Sequence, residues 1–156
     1  MLEIDIPGFG QVRLRHLVSD FTGTLSVDGQ LLPELREKLN KLSAILKIHV
    51  LTADTFGKAL AELKDINCEV HILSGENHDV QKEEFVAKLG AESVVALGNG
   101  NNDRRMMKSA RIGIAVSEEE GCAVDAIMAA NIHVRRAVNG LDLLLNPKRL
   151  QATLRF

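Results

Sequence analysis

Short apolar segments alternate with helical patterns along most of the chain, and this alternation constrains the fold more than any other feature. Six segments have the length and apolar content of β-strands: residues 17–20, 47–51, 68–73, 93–97, 112–116 and 131–134. Helical patterns follow them at about residues 33–42, 56–63, 78–89, 103–110, 121–130, 138–145 and 148–154. The sequence therefore predicts an α/β protein with a mostly parallel sheet and helices on both faces.

Two short hairpins are predicted outside this pattern. Residues 2–6 and 11–15 alternate apolar and polar side chains around a Pro-Gly turn at residues 7–10, which indicates an N-terminal β-hairpin. Its second strand is expected to continue into the strand that ends at Asp20. Residues 25–31 indicate a smaller hairpin around an Asp-Gly turn.

The segment from residue 17 to 25, Leu-Val-Ser-Asp-Phe-Thr-Gly-Thr-Leu, ends a strand with a carboxylate and continues into a glycine-containing turn with two hydroxyls. In α/β proteins, ligands bind at the carboxyl ends of the parallel strands. Asp20 is therefore a candidate nucleophile and Mg²⁺ ligand, and the amides of residues 21–24 are candidate phosphate donors. The alternative is that Asp20 only accepts hydrogen bonds from its own turn.

Other polar residues follow neighbouring strands and are expected at the same edge of the sheet: Thr52, Ser74 and residues 98–103. The hydroxyl of Thr52 would donate a hydrogen bond to a phosphate oxygen. Each of these residues also has a structural explanation, because hydroxyls and carboxylates cap helices and Gly-Asn sequences form tight turns. For Asp54, helix capping is the preferred interpretation.

Lys82 and Asp103 lie on the apolar sides of their predicted helices. The residues that share their faces are Phe85, Val86 and Leu89 for Lys82, and Met106, Met107 and Ala110 for Asp103. Residues three, four and seven positions apart lie on one side of a helix, so both charged groups are expected to point toward the crevice that holds Asp20. Lys88 falls on the other side and is expected at the surface.

These groups together suit phosphoryl transfer by positioning and charge neutralisation. Lys82 would neutralise a phosphoryl group and keep Asp20 ionised by proximity. Asp103, with Asn99 or Asn102, would hold Mg²⁺ directly or through water.

Four stretches of the chain resemble, in order, the four motifs of the haloacid dehalogenase (HAD) superfamily. They are residues 20–24 (Asp-Phe-Thr-Gly-Thr), Thr52, Lys82 and residues 98–103 (Gly-Asn-Gly-Asn-Asn-Asp). The match covers nearly the whole chain and is similar to the small archaeal and bacterial "soluble P-type ATPase" group. The resemblance implies a Rossmann-like sheet, Mg²⁺ dependence and an aspartyl-phosphate intermediate on Asp20.

The candidate site residues follow from this resemblance together with the chemistry above. The candidate catalytic residues are Asp20, Thr22, Thr52 and Lys82. The candidate phosphate-binding residues are Phe21, Gly23, Thr24, Thr52, Ala53 and Lys82. The candidate metal ligands are Asp20, Thr22 through its backbone carbonyl, Asn99, Asn102 and Asp103.

Two residues depart from the HAD pattern. Thr22 stands where HAD phosphatases carry a second Asp as general acid and base, and a Thr hydroxyl cannot exchange protons in that way near neutral pH. Asn99 replaces an Asp, which removes a negative charge and should weaken Mg²⁺ binding. We therefore expect a slow phosphohydrolase for ATP, acyl or aryl phosphates, whose leaving groups need little protonation. The alternatives are a regulatory or binding protein without turnover, and a phosphotransferase.

The intervals between the motifs are filled by the predicted elements and leave no room for a cap domain. We expect a single domain over residues 1–156, with an active site that is open unless a neighbouring subunit or the hairpin at residues 25–31 covers it. A small phosphorylated molecule or a phosphoprotein is the expected partner. Homo-oligomers are left open, because leucines of the last two helices would offer a surface if they are not all core: Leu141, Leu143, Leu144, Leu145, Leu150 and Leu154.

Charge and composition argue against several other classes. The net charge is −2 and no Lys/Arg stripe is present, so nucleic-acid and anionic-membrane surfaces are not expected. Cys68 and Cys122 lack metal-binding spacing, the N terminus lacks a signal-peptide pattern, and no apolar run is long enough to span a bilayer. A cytoplasmic protein is expected. The acidic run at residues 118–120 is interpreted as a solvated loop.

Overall fold

The computed structural model describes all 156 residues and contains ten strands and seven α-helices. The strands are β1 (Leu2–Ile6), β2 (Gly10–Leu14), β3 (His16–Ser19), β4 (Ser26–Val27), β5 (Gln30–Leu31), β6 (Lys47–Thr52), β7 (Glu69–Ile72), β8 (Val94–Gly98), β9 (Ile112–Val116) and β10 (Ile132–Val134). The helices are α1 (Leu35–Ser43), α2 (Ala59–Leu63), α3 (His78–Leu89), α4 (Arg104–Ser109), α5 (Val124–Ala129), α6 (Ala137–Leu145) and α7 (Pro147–Leu154).

Six strands form one parallel sheet in the order β10-β9-β8-β3-β6-β7, which confirms the predicted parallel α/β architecture. From β3 the chain builds β6 and β7 toward one edge, and it then crosses over to build β8, β9 and β10 toward the other. The strand order therefore reverses between β3 and β8, and the carboxyl ends of these two strands border a crevice. Asp20 follows β3 and Asn99 follows β8, so both lie at this reversal.

Helices cover both faces of the sheet and form two apolar layers. Helices α1, α2, α6 and α7, together with the N-terminal hairpin β1–β2, pack in the larger layer, and α3, α4 and α5 cover the opposite face. The leucines of α6 and α7 belong to the larger layer: Leu141, Leu144 and Leu150 are fully buried, and Leu143, Leu145 and Leu154 pack partly buried against them. Leu141, Leu144 and Leu150 are therefore core residues, and homo-oligomerisation stays a prediction.

The two predicted hairpins are present, but the connection after the first one differs from the prediction. Strand β2 ends at Leu14 and pairs only with β1, and β3 begins at His16 in the main sheet. Arg15 lies between the two strands. Its amide donates to the Ser93 carbonyl and its carbonyl accepts the Lys47 amide, so its backbone groups bond the residue before β8 and the first residue of β6 rather than β1. The predicted third core strand is also different: β7 is an edge strand with β6 as its one neighbour, and Ile72 is 47% exposed.

Two helices are shorter than their sequence patterns predict. Helix α2 begins at Ala59, so Phe56 lies outside it, and both Phe56 and Leu60 are exposed rather than core residues. The carboxylate of Asp54 accepts hydrogen bonds from the amides of Lys58 and Ala59, which confirms its predicted capping role.

Helix α5 begins at Val124 rather than at residue 121. The preceding residues are held by the loop after β8, because the Ala123 amide donates to the Asn99 carbonyl and the Gly121 carbonyl accepts from Asn99 Nδ2. None of the helices has the length and apolar character needed to cross a bilayer.

Candidate active site

A buried ammonium group joins two buried carboxylates at the reversal of strand order. Asp20 follows β3, and its amide donates to the Leu97 carbonyl in β8. Lys82 Nζ donates to Asp20 Oδ1 at 2.9 Å and to Asp103 Oδ1 at 2.7 Å. Helix α3 delivers Lys82 from its apolar side, as the spacing predicts, and Lys82 has no exposed surface. Lys88 is exposed, also as predicted.

The charges of Asp20, Lys82 and Asp103 do not balance, because one ammonium group pairs with two carboxylates. Burial, followed by the negative charge of Asp103, raises the pKa of Asp20 to about 7 in the metal-free protein. Burial acts to lower the pKa of Lys82, but the attraction of both carboxylates outweighs it and raises that pKa above its usual range. Lys82 therefore stays charged but does not by itself keep Asp20 ionised, in contrast to the prediction. When Asp20 is ionised, the site has an excess of negative charge that a bound cation would neutralise.

Asp103 positions its neighbours and has no oxygen without a partner. Oδ1 accepts from Lys82, and Oδ2 accepts the amides of Asn99 and Gly100, each at 3.0 Å. Gly98 makes this close approach feasible, since a Cβ at that position would lie 2.4 Å from Asp103 Cβ. Asp103 thus orders the loop after β8, and its role as a metal ligand, direct or through water, stays a prediction.

The turn after Asp20 satisfies several of its own amides. The Phe21 carbonyl accepts the amides of Thr24, Leu25 and Ser26, and the Gly23 amide donates to the Ser26 carbonyl. The amides of Gly23 and Thr24, which the sequence suggests as phosphate donors, are therefore used inside the turn.

Two candidate donors stay free at this edge of the sheet. The amides of Thr22 and Ala53 donate no hydrogen bond within the chain, and both residues line the cleft beside Asp20. The Phe21 amide favours the ionised form of the Asp20 carboxylate, while its side chain is buried in the core.

Oxygen atoms from three residues form a donor set that suits Mg²⁺. The Thr24 hydroxyl lies 3.3 Å from Asp20 Oδ2 and 3.1 Å from Asn99 Oδ1, so a single proton is shared between two acceptors. The Thr22 carbonyl accepts no hydrogen bond within the chain. Hard divalent cations prefer carboxylate, amide and carbonyl oxygens. Such a cation would give these oxygen atoms the positive partner that the single hydroxyl proton of Thr24 does not provide.

The same turn also needs glycine at position 23. Gly23 has a positive φ of 77°, and a Cβ there would lie 2.5 Å from Asn99 Nδ2. The glycine therefore brings the turn after β3 against the side chain that follows β8.

Thr52 is placed by a local turn. Its Oγ1 accepts the Asp54 amide at 2.9 Å, and Asp54 has a left-handed φ of 54°. The hydroxyl hydrogen of Thr52 is left to donate to a ligand in the cleft that Thr52 lines with Ala53 and Thr55.

The cleft over Asp20 has a volume of about 250 Å³, and only one of its nine lining residues is hydrophobic. Its lining residues are Asp20, Thr22, Thr52, Ala53, Thr55, Asn99, Gly100, Asn102 and Glu120. Ser74, which was expected at this edge, is exposed and does not line the cleft.

Thr55 and Glu120 line the cleft although the sequence did not mark either as a site residue, and Glu120 was assigned to a solvated loop. Its Oε2 accepts the Asp28 amide at 3.1 Å and connects the β4–β5 hairpin to the cleft. This contact spans 92 residues, and no local spacing signals it.

Sequence comparison finds an uncharacterized archaeal protein and a copper-exporting P-type ATPase among the relatives of this chain. The chain is 41% identical over 73 residues to the uncharacterized protein MJ0073 of Methanocaldococcus jannaschii, and the match covers 47% of this chain and 78% of that protein. It is 31% identical over 106 residues to a probable copper-exporting P-type ATPase of Archaeoglobus fulgidus, over 67% of this chain and 13% of the ATPase. No protein-family model matches the chain.

Solved structures agree in fold. A zinc-transporting P-type ATPase, 25% identical to the chain, matches with a TM-score of 0.62 over 79% of this chain and 20% of the transporter. The cobalt-bound deoxy-D-mannose-octulosonate 8-phosphate phosphatase of Haemophilus influenzae matches with a TM-score of 0.68 at 14% identity, over 92% and 94% of the two chains. The chain therefore has the HAD-like fold, which it shares with two solved structures named as HAD hydrolases at 17% and 18% identity.

Three further facts compare the chain with its relatives. The 3-deoxy-D-manno-octulosonate 8-phosphate phosphatase of Moraxella catarrhalis, solved with a magnesium ion, a phosphate ion and a KDO molecule, matches with a TM-score of 0.64 at 19% identity over 91% of this chain and 94% of that one. No cap domain interrupts this chain: only the β4–β5 hairpin lies between β3 and α1, and a five-residue loop joins β7 to α3. The chain spans 13% of the copper ATPase that it matches.

Proposed function

We propose that this protein is a Mg²⁺-dependent phosphohydrolase that acts through an aspartyl-phosphate on Asp20. The observation that carries the proposal is the buried Asp20–Lys82–Asp103 arrangement at the reversal of strand order. An ion pair buried to this degree is a poor way to stabilise a fold, since desolvation offsets most of the attraction. It is well suited to receive a phosphoryl group, whose negative charge Lys82 would neutralise.

The donor set for Mg²⁺ would be Asp20 Oδ2, the Thr22 carbonyl and Asn99 Oδ1. When bound, Mg²⁺ would neutralise phosphate charge and orient the phosphoryl group toward Asp20. The Moraxella catarrhalis phosphatase, which was solved with magnesium and phosphate, supports this choice of ion. The free amides of Thr22 and Ala53, with the hydroxyl of Thr52, would donate hydrogen bonds to the phosphate oxygens.

The reaction would proceed in two displacements. An Asp20 carboxylate oxygen attacks phosphorus, the bond between phosphorus and the leaving oxygen breaks, and the leaving group takes a proton from solvent if it needs one. Water then attacks the phosphorus of the aspartyl-phosphate, the bond to the Asp20 oxygen breaks, and phosphate leaves while a proton passes to solvent. In both steps the ammonium group of Lys82 would stay beside the Asp20 side chain and keep its bond to Asp103.

Thr22 sets the speed of both steps in this proposal. Its hydroxyl cannot give a proton to a leaving group or accept one from water near neutral pH. Substrates with good leaving groups, such as ATP and acyl or aryl phosphates, would therefore react best. The small polar cleft would hold the phosphoryl group and leave the rest of a small phosphorylated molecule, or of a phosphoprotein, at the surface.

The test is phosphate release from p-nitrophenyl phosphate and from ATP, with and without Mg²⁺. We expect slow turnover that depends on Mg²⁺ and is abolished by Asp20→Asn. Asp54→Asn is the matched control, because Asp54 lies near the cleft but caps α2, and an Asn caps equally well. Equal background release from all three proteins would contradict a hydrolase.

A second candidate is a protein that forms the aspartyl-phosphate and passes the phosphoryl group to an acceptor other than water. The presence of Thr22 in place of a general base favours it, because the covalent intermediate would persist. Stoichiometric labelling without steady phosphate release would identify this case. Binding of phosphate without labelling would instead indicate a regulatory protein.

A further inference from the structure

Three side chains with metal-ligating atoms meet on the sheet face beneath α3, and we call His49, Glu69 and His71 the histidine cluster. His49 belongs to β6, and Glu69 and His71 belong to the edge strand β7. His49 pairs with Glu69 in the parallel register, and alternate residues of a strand share a face. The topology therefore brings all three side chains to one side of the sheet.

Two buried nitrogens in this cluster have no hydrogen-bond partner. They are His49 Nδ1 and His71 Nε2, and the side chain of His49 is only 2% exposed. Buried polar atoms nearly always have a partner, because an unpaired one costs about 1–3 kcal/mol. Both of these atoms face the carboxylate of Glu69.

The candidate ligand atoms of the cluster lie close enough to one another to surround one ion. Glu69 Oε2 lies 3.2 Å from His49 Nδ1 and 3.7 Å from His71 Nε2, and all three atoms lie within 4.8 Å of one another. Zinc bonds to nitrogen and oxygen of about 2.0–2.1 Å give a tetrahedron whose ligand atoms are about 3.3 Å apart. The Glu69–His49 distance already matches that spacing, and the His71 ring would have to move closer for an ion to bind all three atoms.

The surroundings orient the ligands as a metal site requires. His49 Nε2 lies 3.2 Å from His16 Nδ1, so a proton on Nε2 can be shared with His16 while Nδ1 presents a lone pair to the cluster. Lys47 binds the other carboxylate oxygen, Glu69 Oε1, at 2.7 Å and leaves Oε2 toward the histidines. The ring of Phe85 packs against both histidine rings.

We propose that the histidine cluster binds a divalent transition-metal ion of the zinc class, with His49 Nδ1, His71 Nε2 and Glu69 Oε2 as protein ligands. Two imidazoles and one carboxylate favour zinc or cobalt over Mg²⁺, which prefers oxygen donors such as those beside Asp20. Glu69 and His71 are each partly exposed, so solvent reaches the fourth coordination position. The ion would fasten the edge strand β7 to β6.

The test is a titration of the full-length protein with Co²⁺, a spectroscopic substitute for Zn²⁺, in the presence of saturating Mg²⁺. We expect one equivalent of Co²⁺ to bind with the visible absorption of a four-coordinate ion, and Zn²⁺ to displace it. His71→Ala and Glu69→Gln should each weaken binding by at least about tenfold. Both residues are partly exposed, so these variants are expected to fold.

Two control variants distinguish this site from other sources of binding. His133→Ala removes an exposed histidine of β10 whose ring contacts Ser117, and it should leave Co²⁺ binding unchanged. Asp20→Asn removes the carboxylate of the candidate active site and should also leave it unchanged. Unchanged affinity in His71→Ala, an octahedral spectrum, or loss of Co²⁺ binding in Asp20→Asn would each overturn the proposal.

Discussion

Lys82 Nζ lies 2.9 Å from Asp20 Oδ1, although the two residues are 62 positions apart and both are buried. Helix α3 is the crossover connection from β7 to β8, and this contact joins it to the end of β3 at the crevice. The fold therefore delivers the proposed nucleophile and its counter-charge from separate elements, and the geometry of the pair depends on the whole sheet.

Replacement of Lys82 by Met should reduce phosphate release by at least about a hundredfold, because the positive charge that faces the phosphoryl group is lost. Steady-state kinetics with p-nitrophenyl phosphate measures this effect. Lys88→Met is the matched control, since Lys88 lies on the exposed side of the same helix and should retain full activity. Activity of Lys82→Met close to that of the unmodified protein would refute the role of Lys82.

The Lys82–Asp103 contact should appear as a coupling energy in folding. Lys82→Met leaves two buried carboxylates without their partner and should lower the free energy of unfolding by about 3–5 kcal/mol. The double variant Lys82→Met/Asp103→Asn should be less destabilised than the sum of the single variants by at least about 1 kcal/mol. Urea unfolding measures all three, and Lys88→Met/Asp103→Asn should be additive within about 0.5 kcal/mol. Additivity in the Lys82 pair would show that the two groups do not interact.

Introduction of a general acid and base at position 22 should accelerate hydrolysis. In Thr22→Asp we expect the aspartyl-phosphate to decay at least about a hundredfold faster, because a carboxylate can accept the proton of the attacking water. Decay of the labelled intermediate after a chase with unlabelled substrate gives the rate. Thr55→Asp places a carboxylate elsewhere on the wall of the same cleft and should not accelerate decay. An equal effect of both substitutions would point to a change in overall charge rather than to proton transfer.

The buried His49 should make folding sensitive to acid. Burial lowers its pKa to about 4, against an ordinary value of 6.5, so between these pH values the unfolded chain binds a proton that the folded protein does not. The contribution to stability is complete above pH 6.5 and is lost as the pH falls toward 4, by about 3 kcal/mol. Urea unfolding in the presence of a chelator should show this loss, and His49→Leu should show a smaller one. The same pH dependence in both proteins would exclude His49 as its source.

The residues that could be predicted from the sequence are those that conflict with their local pattern. A charge on an apolar helix side, as for Lys82 and Asp103, has few explanations other than a buried partner. The parallel sheet also followed from alternation alone.

What could not be predicted depends on contacts between distant segments. The pairing of His49 with Glu69 results from strand register, and the contact of Glu120 with Asp28 results from loop packing. The internal bonds that occupy the amides of Gly23 and Thr24 depend on the turn conformation, which the Gly-Thr sequence alone does not determine. The position of Phe56 outside α2 has the same origin, because α2 begins only where Asp54 caps it.

The most direct test of the central claim is to locate the covalent intermediate. The protein is mixed with Mg²⁺ and acetyl phosphate, quenched in acid, and mapped by mass spectrometry of its peptides. We predict a phosphoryl group on Asp20 that is absent without Mg²⁺ and absent in Asp20→Asn. Phosphate release that persists in Asp20→Asn, or a phosphoryl group on another residue, would contradict the assignment of Asp20 as the nucleophile.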